Sequence, residues 1–169
     1  GLLLTAGAVG DRFGRKGALQ IGLALFGLAS LAGTVSTEPE HLIAARSAMG
    51  VGAALVMPAT LSILSNVFPA SERGKAIGIW AAFAGVGGAI GPIVGGWLLE
   101  HFWWGSLFFM NVVVVVIALL LGVVLLPTSR DPHQTRLDPV GALFSIVALG
   151  GLLFGIIEGP ERGWDDPLA

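Results

Sequence analysis

From Phe102 to Leu126 the chain carries no charged side chain, and runs of this kind return at regular intervals. That recurrence is the strongest constraint on its fold. A helix rises about 1.5 Å per residue, so about 20 apolar residues cross the hydrocarbon of a bilayer. Uncharged or nearly uncharged runs occupy residues 17–36, 42–68, 76–99, 102–126 and 140–157, and residues 1–10 read as the end of another. Arg46 alone interrupts the second. A soluble helical domain would need polar stripes at a period of 3.6 residues, and 17–36 and 102–126 have none. Composition agrees, with 54% hydrophobic and 12% charged residues against the roughly 25% charged of soluble domains. The expectation is an all-α polytopic membrane protein with about five complete transmembrane helices and part of a sixth. The sequence opens inside an apolar run without an initiator Met or a cleavable leader, and is expected to belong to a longer polypeptide.

Charge placement orients the helices, because Lys and Arg accumulate in short cytoplasmic loops. Arg12, Arg15 and Lys16 fall in residues 11–16, Arg73 and Lys75 in 69–75, and Arg130 and Arg136 in 127–139. These alternate connections share one side. The other connections hold Arg162 against Glu38, Glu40, Glu100, Glu158, Glu161, Asp165 and Asp166. The expectation is that 11–16, 69–75 and 127–139 are cytoplasmic. Trp97, Trp103 and Trp104 then fall at the outer interface and Trp80 nearer the inner one, where amphipathic rings prefer to sit.

Three clusters carry more specific signals. The first is GAVGDRFGRKGAL, residues 7–19. Gly7 and Gly10 let another helix approach closely. Asp11, where the bilayer ends, suits the amide-rich N-terminus of a neighbouring helix. Gly14 allows a tight re-entry turn, and Arg15 and Lys16 meet the anionic inner surface. Taken alone, Arg15 and Lys16 also read as ordinary positive-inside residues. The second is Arg46, followed by Gly50, Gly52 and Ala54. An arginine inside a membrane helix costs at least ~2.5 kcal/mol at the centre, and by depth alone it reads equally as functional or as snorkelling to the nearby interface. The third lies within 76–99, where Gly87, Gly91 and Gly95 form one row and Gly88, Pro92 and Gly96 the next. Two faces there lack side chains and a proline removes an amide. Static packing and a flexible hinge are both served by such a stripe.

These clusters resemble three motifs of the major facilitator superfamily. Gly7, Asp11, Arg12, Gly14, Arg15, Lys16 and Leu19 match the motif between its second and third helices, which the resemblance implies is a conformational latch. Arg46, Gly50 and Gly52 resemble the fourth-helix motif, which implies proton coupling. Gly87, Gly91, Pro92, Gly95 and Gly96 resemble the fifth-helix motif of antiporters, which implies a hinge and seal between the two halves. The segment Trp103–Asn111, with Trp104 where an arginine is common, is similar to the fourteen-helix drug:proton antiporters, as are Leu137, Asp138 and Gly141 followed by Gly163 and Trp164. The implied protein is a secondary active exporter of hydrophobic or cationic drug-like molecules, driven by protons in a bacterial inner membrane. Residues 1–169 would form part of its N-terminal half, resting on the remaining helices for function. A symporter or uniporter of a sugar or metabolite is the nearest alternative, and a non-transporting membrane subunit the next.

Other chemistries find no support in the residues. There is no cysteine, so thiolate metal sites and cysteine nucleophiles are excluded. His41, His101 and His133 fall in separate connections without ligand spacing, and no metal is expected. No phosphate-binding loop or dinucleotide fingerprint is present, so no cofactor and no enzyme activity are expected. The bases are scattered among short connections, which gives nucleic-acid binding no footing. Glu100, Asp138 and Glu158 all lie near helix ends, so the membrane-embedded carboxylate that proton antiport calls for is expected elsewhere in the polypeptide.

Overall fold

The computed structural model describes Gly7, Gly10, residues 14–126 and residues 139–162. Those residues form five helices, α1 Arg15–Thr34, α2 Pro39–Val67, α3 Ala70–His101, α4 Ser106–Leu125 and α5 Pro139–Arg162, with no strand among them. The first four are long and apolar enough to cross a membrane, and α5 contains the apolar stretch Leu143–Ile157. At 20 residues each, α1 and α4 reach about 30 Å, just the hydrocarbon thickness. Helices α2 and α3, with 29 and 32 residues, are about 45 Å long and must tilt or project beyond it.

The boundaries follow from local chemistry. Gly14 precedes α1 with φ 111°, a value that side chains with a Cβ rarely adopt. Its amide donates to the Gly10 carbonyl at 3.0 Å, and its carbonyl accepts from Ala18 at 2.9 Å. Pro39 opens α2 at a position whose amide has no partner within the helix. Phe68 is extended because Pro69 follows it, and this ends α2.

The sequence expectation put connections at 69–75 and 100–101, but α3 begins at Ala70 and runs to His101. Arg73, Lys75, Glu100 and His101 are therefore helical, and His41 lies in the first turn of α2. Hydropathy marks only the part of a helix that tolerates lipid, whereas backbone pairing continues into polar residues, as when the Arg73 amide bonds the Pro69 carbonyl. The reversal between α3 and α4 instead occupies Phe102–Gly105. Residues 127–138 lie outside the described residues.

Helix α1 is the innermost element, packed by α2 on one side and by α4 on another. Its buried positions include Ala18, Gly22, Ala29 and Gly33, which lie within about 60° of one another around the helix. At the α1–α2 crossing the backbones nearly touch. A Cβ built on Gly22 would lie 2.8 Å from Leu55 Cβ and 2.9 Å from the Gly52 carbonyl oxygen. One on Gly52 would lie 2.8 Å from the Gly22 carbonyl oxygen and 2.8 Å from the Phe26 nitrogen. Below the crossing Ala18, Leu19, Ala59 and Ile63 form the core, bordered by Leu23, Val56 and Leu126. Hydrophobic transfer does little to drive helices together in lipid, so this approach of small residues is what holds α1 to α2.

Gly22→Ala is therefore expected to destabilise the protein by about 1–3 kcal/mol, the usual penalty of overpacking against backbone. Gly78→Ala, where an added Cβ meets nothing within 4 Å, should be neutral or stabilising. Thermal unfolding of the detergent-solubilised whole protein checks the contrast, and equal midpoints for the two variants would count against the crossing.

Candidate functional site

The first motif meets the bundle at one end of α1. Asp11 and Arg12 lie outside the described residues. Gly7 is half-buried, and a Cβ on it would stand in ordinary contact, 3.5 Å, with Pro58 of α2. Gly14 supplies the positive-φ turn. Lys16, in the first turn of α1, reaches across to the far end of α4, where Nζ donates to the Val123 and Leu126 carbonyl oxygens, each at 2.8 Å. The last carbonyls of a helix lack intrahelical donors and carry the negative end of its dipole. A lysine there supplies both hydrogen bonds and positive charge.

One turn on, the Gln20 side-chain amide donates to the Leu119 carbonyl at 3.4 Å. It fits against α4 because Gly122 has no side chain, and a Cβ there would run into Gln20 Nε2. Farther along, a Cβ on Gly27 would lie 2.8 Å from Val115 Cγ1, and one on Gly33 2.9 Å from Phe108 Cδ1. Lys16, Gln20 and Gly27 share one face of α1 at spacings of four and seven residues. The sequence reading assigned Lys16 to the motif and missed Gly22, Gly27, Gly33 and Gly122. The available signal was the recurrence of small residues along 17–36 at helical spacing, which a search for charged clusters passes over.

The second motif divides between two environments. Gly52 sits at the crossing with α1, whereas a Cβ on Gly50 would meet nothing within 4 Å. Arg46 is exposed, about 100° around α2 from the face packed on α1, and about 10 Å along the axis from Pro39. Among the described residues it forms no hydrogen bond or ion pair. Its charge is thus carried on a face that α1, α3 and α4 leave uncovered.

The third motif lies on α3, whose residues 81–93 are all exposed. A Cβ on Gly85, Gly87, Gly88, Gly91 or Gly96 would meet nothing within 4 Å, and one on Gly95 only Leu107 Cδ2 at 3.4 Å. Ala84, Gly88, Gly91 and Gly95 share one stripe, so a second helix could approach this face to backbone distance. Pro92 removes the amide that would bond the Gly88 carbonyl, which lets α3 bend beside the same stripe. Among the described residues, only Gly95 of these glycines has a packing neighbour. Near the end of α3 an aromatic group forms, with Trp97 stacked on His101 at 4.9 Å and tilted against Phe102 at 5.7 Å. His101 Nδ1 lies 2.9 Å from the Trp97 carbonyl oxygen.

Comparison with known proteins places these features in a family context. The model described as the Major Facilitator Superfamily matches residues 1–157. The chain is 42% identical to the multidrug efflux pump LfrA of Mycolicibacterium smegmatis, over 96% of the chain and 32% of the pump. It is 41% identical to the puromycin resistance protein of Streptomyces alboniger, over 99% of the chain and 33% of that protein. With the methylenomycin A resistance protein of Bacillus subtilis it shares 39% identity, over 99% and 36%. The chain thus spans about a third of the length of these curated relatives. In fold it is similar to the crystal structure of a peptide transporter, with a TM-score of 0.61 and 18% identity, over 93% of the chain and 35% of that structure.

Replacing Lys16 with Met should cost about 1–2 kcal/mol, by removing a charge-assisted bridge to the end of α4. Hydrogen exchange in the whole protein is the direct readout, and faster exchange in the last turn of α4, around residues 122–126, is the expected result. Unchanged protection there would mean that Lys16 does not hold the helix end.

Proposed function

The chain belongs to the major facilitator superfamily, and from that premise we propose that it forms part of a proton-coupled exporter of hydrophobic or cationic drug-like molecules. It is an integral membrane protein, and the setting proposed for it is the bacterial inner membrane. The observation that carries the proposal is the contrast between a tightly packed group, α1 with α2 and α4, and the bare glycine-proline face of α3. A face of small residues with a proline beside it is suited to a partner helix that slides or rocks, because no interdigitated side chains must be withdrawn. The names of the relatives, efflux pump and antibiotic resistance proteins, support export rather than uptake.

In this reading Gly87, Gly91, Pro92, Gly95 and Gly96 form the hinge and seal against the remaining helices of the transporter. Arg46, with Gly50 open beside it, takes part in proton coupling toward a carboxylate elsewhere in the polypeptide, where substrate and protons alternate near the midplane. Gly52 contributes by keeping α2 against α1. Gly7, Asp11, Arg12, Gly14, Arg15 and Lys16 form the latch, with Gly14 and Lys16 anchoring it to α1 and α4. Residues 11–16, 69–75 and 127–139 are assigned to the cytoplasmic side. Alternating access would then move the latch and the α3 face together.

The test uses the whole protein in proteoliposomes with an imposed proton gradient and a lipophilic cationic dye. Arg46→Gln should lower gradient-driven export by about tenfold or more, the consequence of losing ~1.4 kcal/mol of a required interaction. Because Arg46 is exposed and unbonded among the described residues, the thermal midpoint should stay unchanged. Gly91→Leu should block export equally. Wild-type rates in both variants would refute the assignment.

A further inference from the structure

At the Lys16 end of the bundle a cleft of about 500 Å³ opens between the start of α1, the last third of α2 and the start of α3. Arg15, Pro58, Leu61, Ser62, Ser65, Asn66 and Arg73 line it. Two lining residues are permanently cationic, and none of those named is acidic. We propose that this cleft binds the headgroup of an anionic phospholipid, with an acyl chain running along α2.

Arg73 is the main recognising group. Its Nε donates to the Phe68 carbonyl oxygen at 3.1 Å, which holds the side chain over the end of α2. A guanidinium has five N–H donors, so four remain for an anion, in a planar fork that matches phosphate oxygens. Asn66 is exposed beside it and adds an amide donor. Arg15 adds positive charge whatever else it bonds. Ser65 donates to the Leu61 carbonyl at 2.9 Å and is not counted as a donor to the ligand.

The same geometry favours a lipid over free phosphate. Pro58 and Leu61 lie one to two turns deeper along α2 than Ser65 and Asn66, so the cleft is charged at its rim and apolar toward the bilayer centre. Leu61 is exposed on that stretch. A headgroup held by Arg73 and Asn66 leaves its chain against apolar surface, whereas inorganic phosphate gains only the rim. A basic group at the membrane surface is worth about a fivefold change in affinity for an anionic headgroup.

Native mass spectrometry of the whole protein, released from nanodiscs of phosphatidylglycerol and phosphatidylcholine, tests the proposal independently of transport. The wild type should retain phosphatidylglycerol in preference to phosphatidylcholine. Arg73→Gln should lower that retention about fivefold, with Arg73→Lys intermediate, while Ile43→Ala at the opposite end of α2 leaves it unchanged. Millimolar inorganic phosphate should not displace the lipid. Equal retention by wild type and Arg73→Gln, at matched thermal midpoints, would overturn the proposal. Displacement by phosphate alone would do so too. So would an export defect of Arg73→Gln that is the same size in vesicles of phosphatidylcholine alone, because the cleft would then seat another part of the protein. In the wild type, absent lipid selectivity with intact export would leave the transport reading standing, and lipid selectivity without export would leave the lipid site standing.

Discussion

Two helices that meet backbone to backbone govern the architecture. Where Gly22 of α1 and Gly52 of α2 cross, each carbonyl oxygen lies within 2.9 Å of where the other residue's Cβ would have to go. In water, a glycine pair of this kind would be a modest addition to a hydrophobic core. In lipid, where tails are as apolar as leucine, such close approach supplies much of what holds neighbouring helices together. The other contacts of α1 build on it. With one side of α1 fixed against α2, its opposite side presents Lys16, Gln20 and Gly27 to α4, and there polar bonds add to the close contact of Gly27 with Val115. A lysine and a glutamine bond carbonyls of the final turns of α4, and Gly122 provides the space for the glutamine. Close packing thus holds α1 on both sides, and polar bonds strengthen the side that meets α4.

Against that group, α3 is conspicuous for what it does not touch. Its small-residue face resembles the α1–α2 crossing in composition, yet an added Cβ meets almost nothing along it. The difference is therefore not in the residues but in the partner. In the proposed function, the same chemistry that locks α1 to α2 leaves α3 open to a helix from the rest of the polypeptide; the curated relatives are about three times the length of this chain. Arg46 and Gly50 occupy another uncovered face, on α2. The third motif and the Arg46–Gly50 part of the second are thus turned away from the packed group, while Gly52 joins it and the first motif anchors to it through Gly14 and Lys16.

The helical membrane class was legible in the sequence because length and hydropathy suffice to specify it, and membership of the major facilitator superfamily was legible in the motif spacings. Helix ends were less so. The start of α3 at Ala70 and its continuation through Glu100 to His101 depend on backbone pairing, to which hydropathy is blind. The distinction between Gly50 and Gly52 was also hidden, since two residues along a helix turn the chain by about 200° and only the crossing angle decides which one meets a neighbour. Lys16 illustrates the converse. Its charge was visible, but its partners are backbone carbonyls more than a hundred residues away, and no side-chain pattern announces them.

In the proposed transport cycle the α1–α2 crossing stays closed while the α3 face gains and loses a partner. Because the chain has no cysteine, single cysteines placed in a whole protein cleared of any others report on each surface separately. Ala84→Cys lies on the glycine stripe of α3, and Ala59→Cys lies in the buried core beside α1. Thiol modification of the reconstituted protein, with and without a proton gradient, is the direct measurement. The rate at residue 84 should change severalfold between the two conditions while residue 59 stays protected in both. An unchanged rate at residue 84, or gradient-dependent labelling at residue 59, would contradict it.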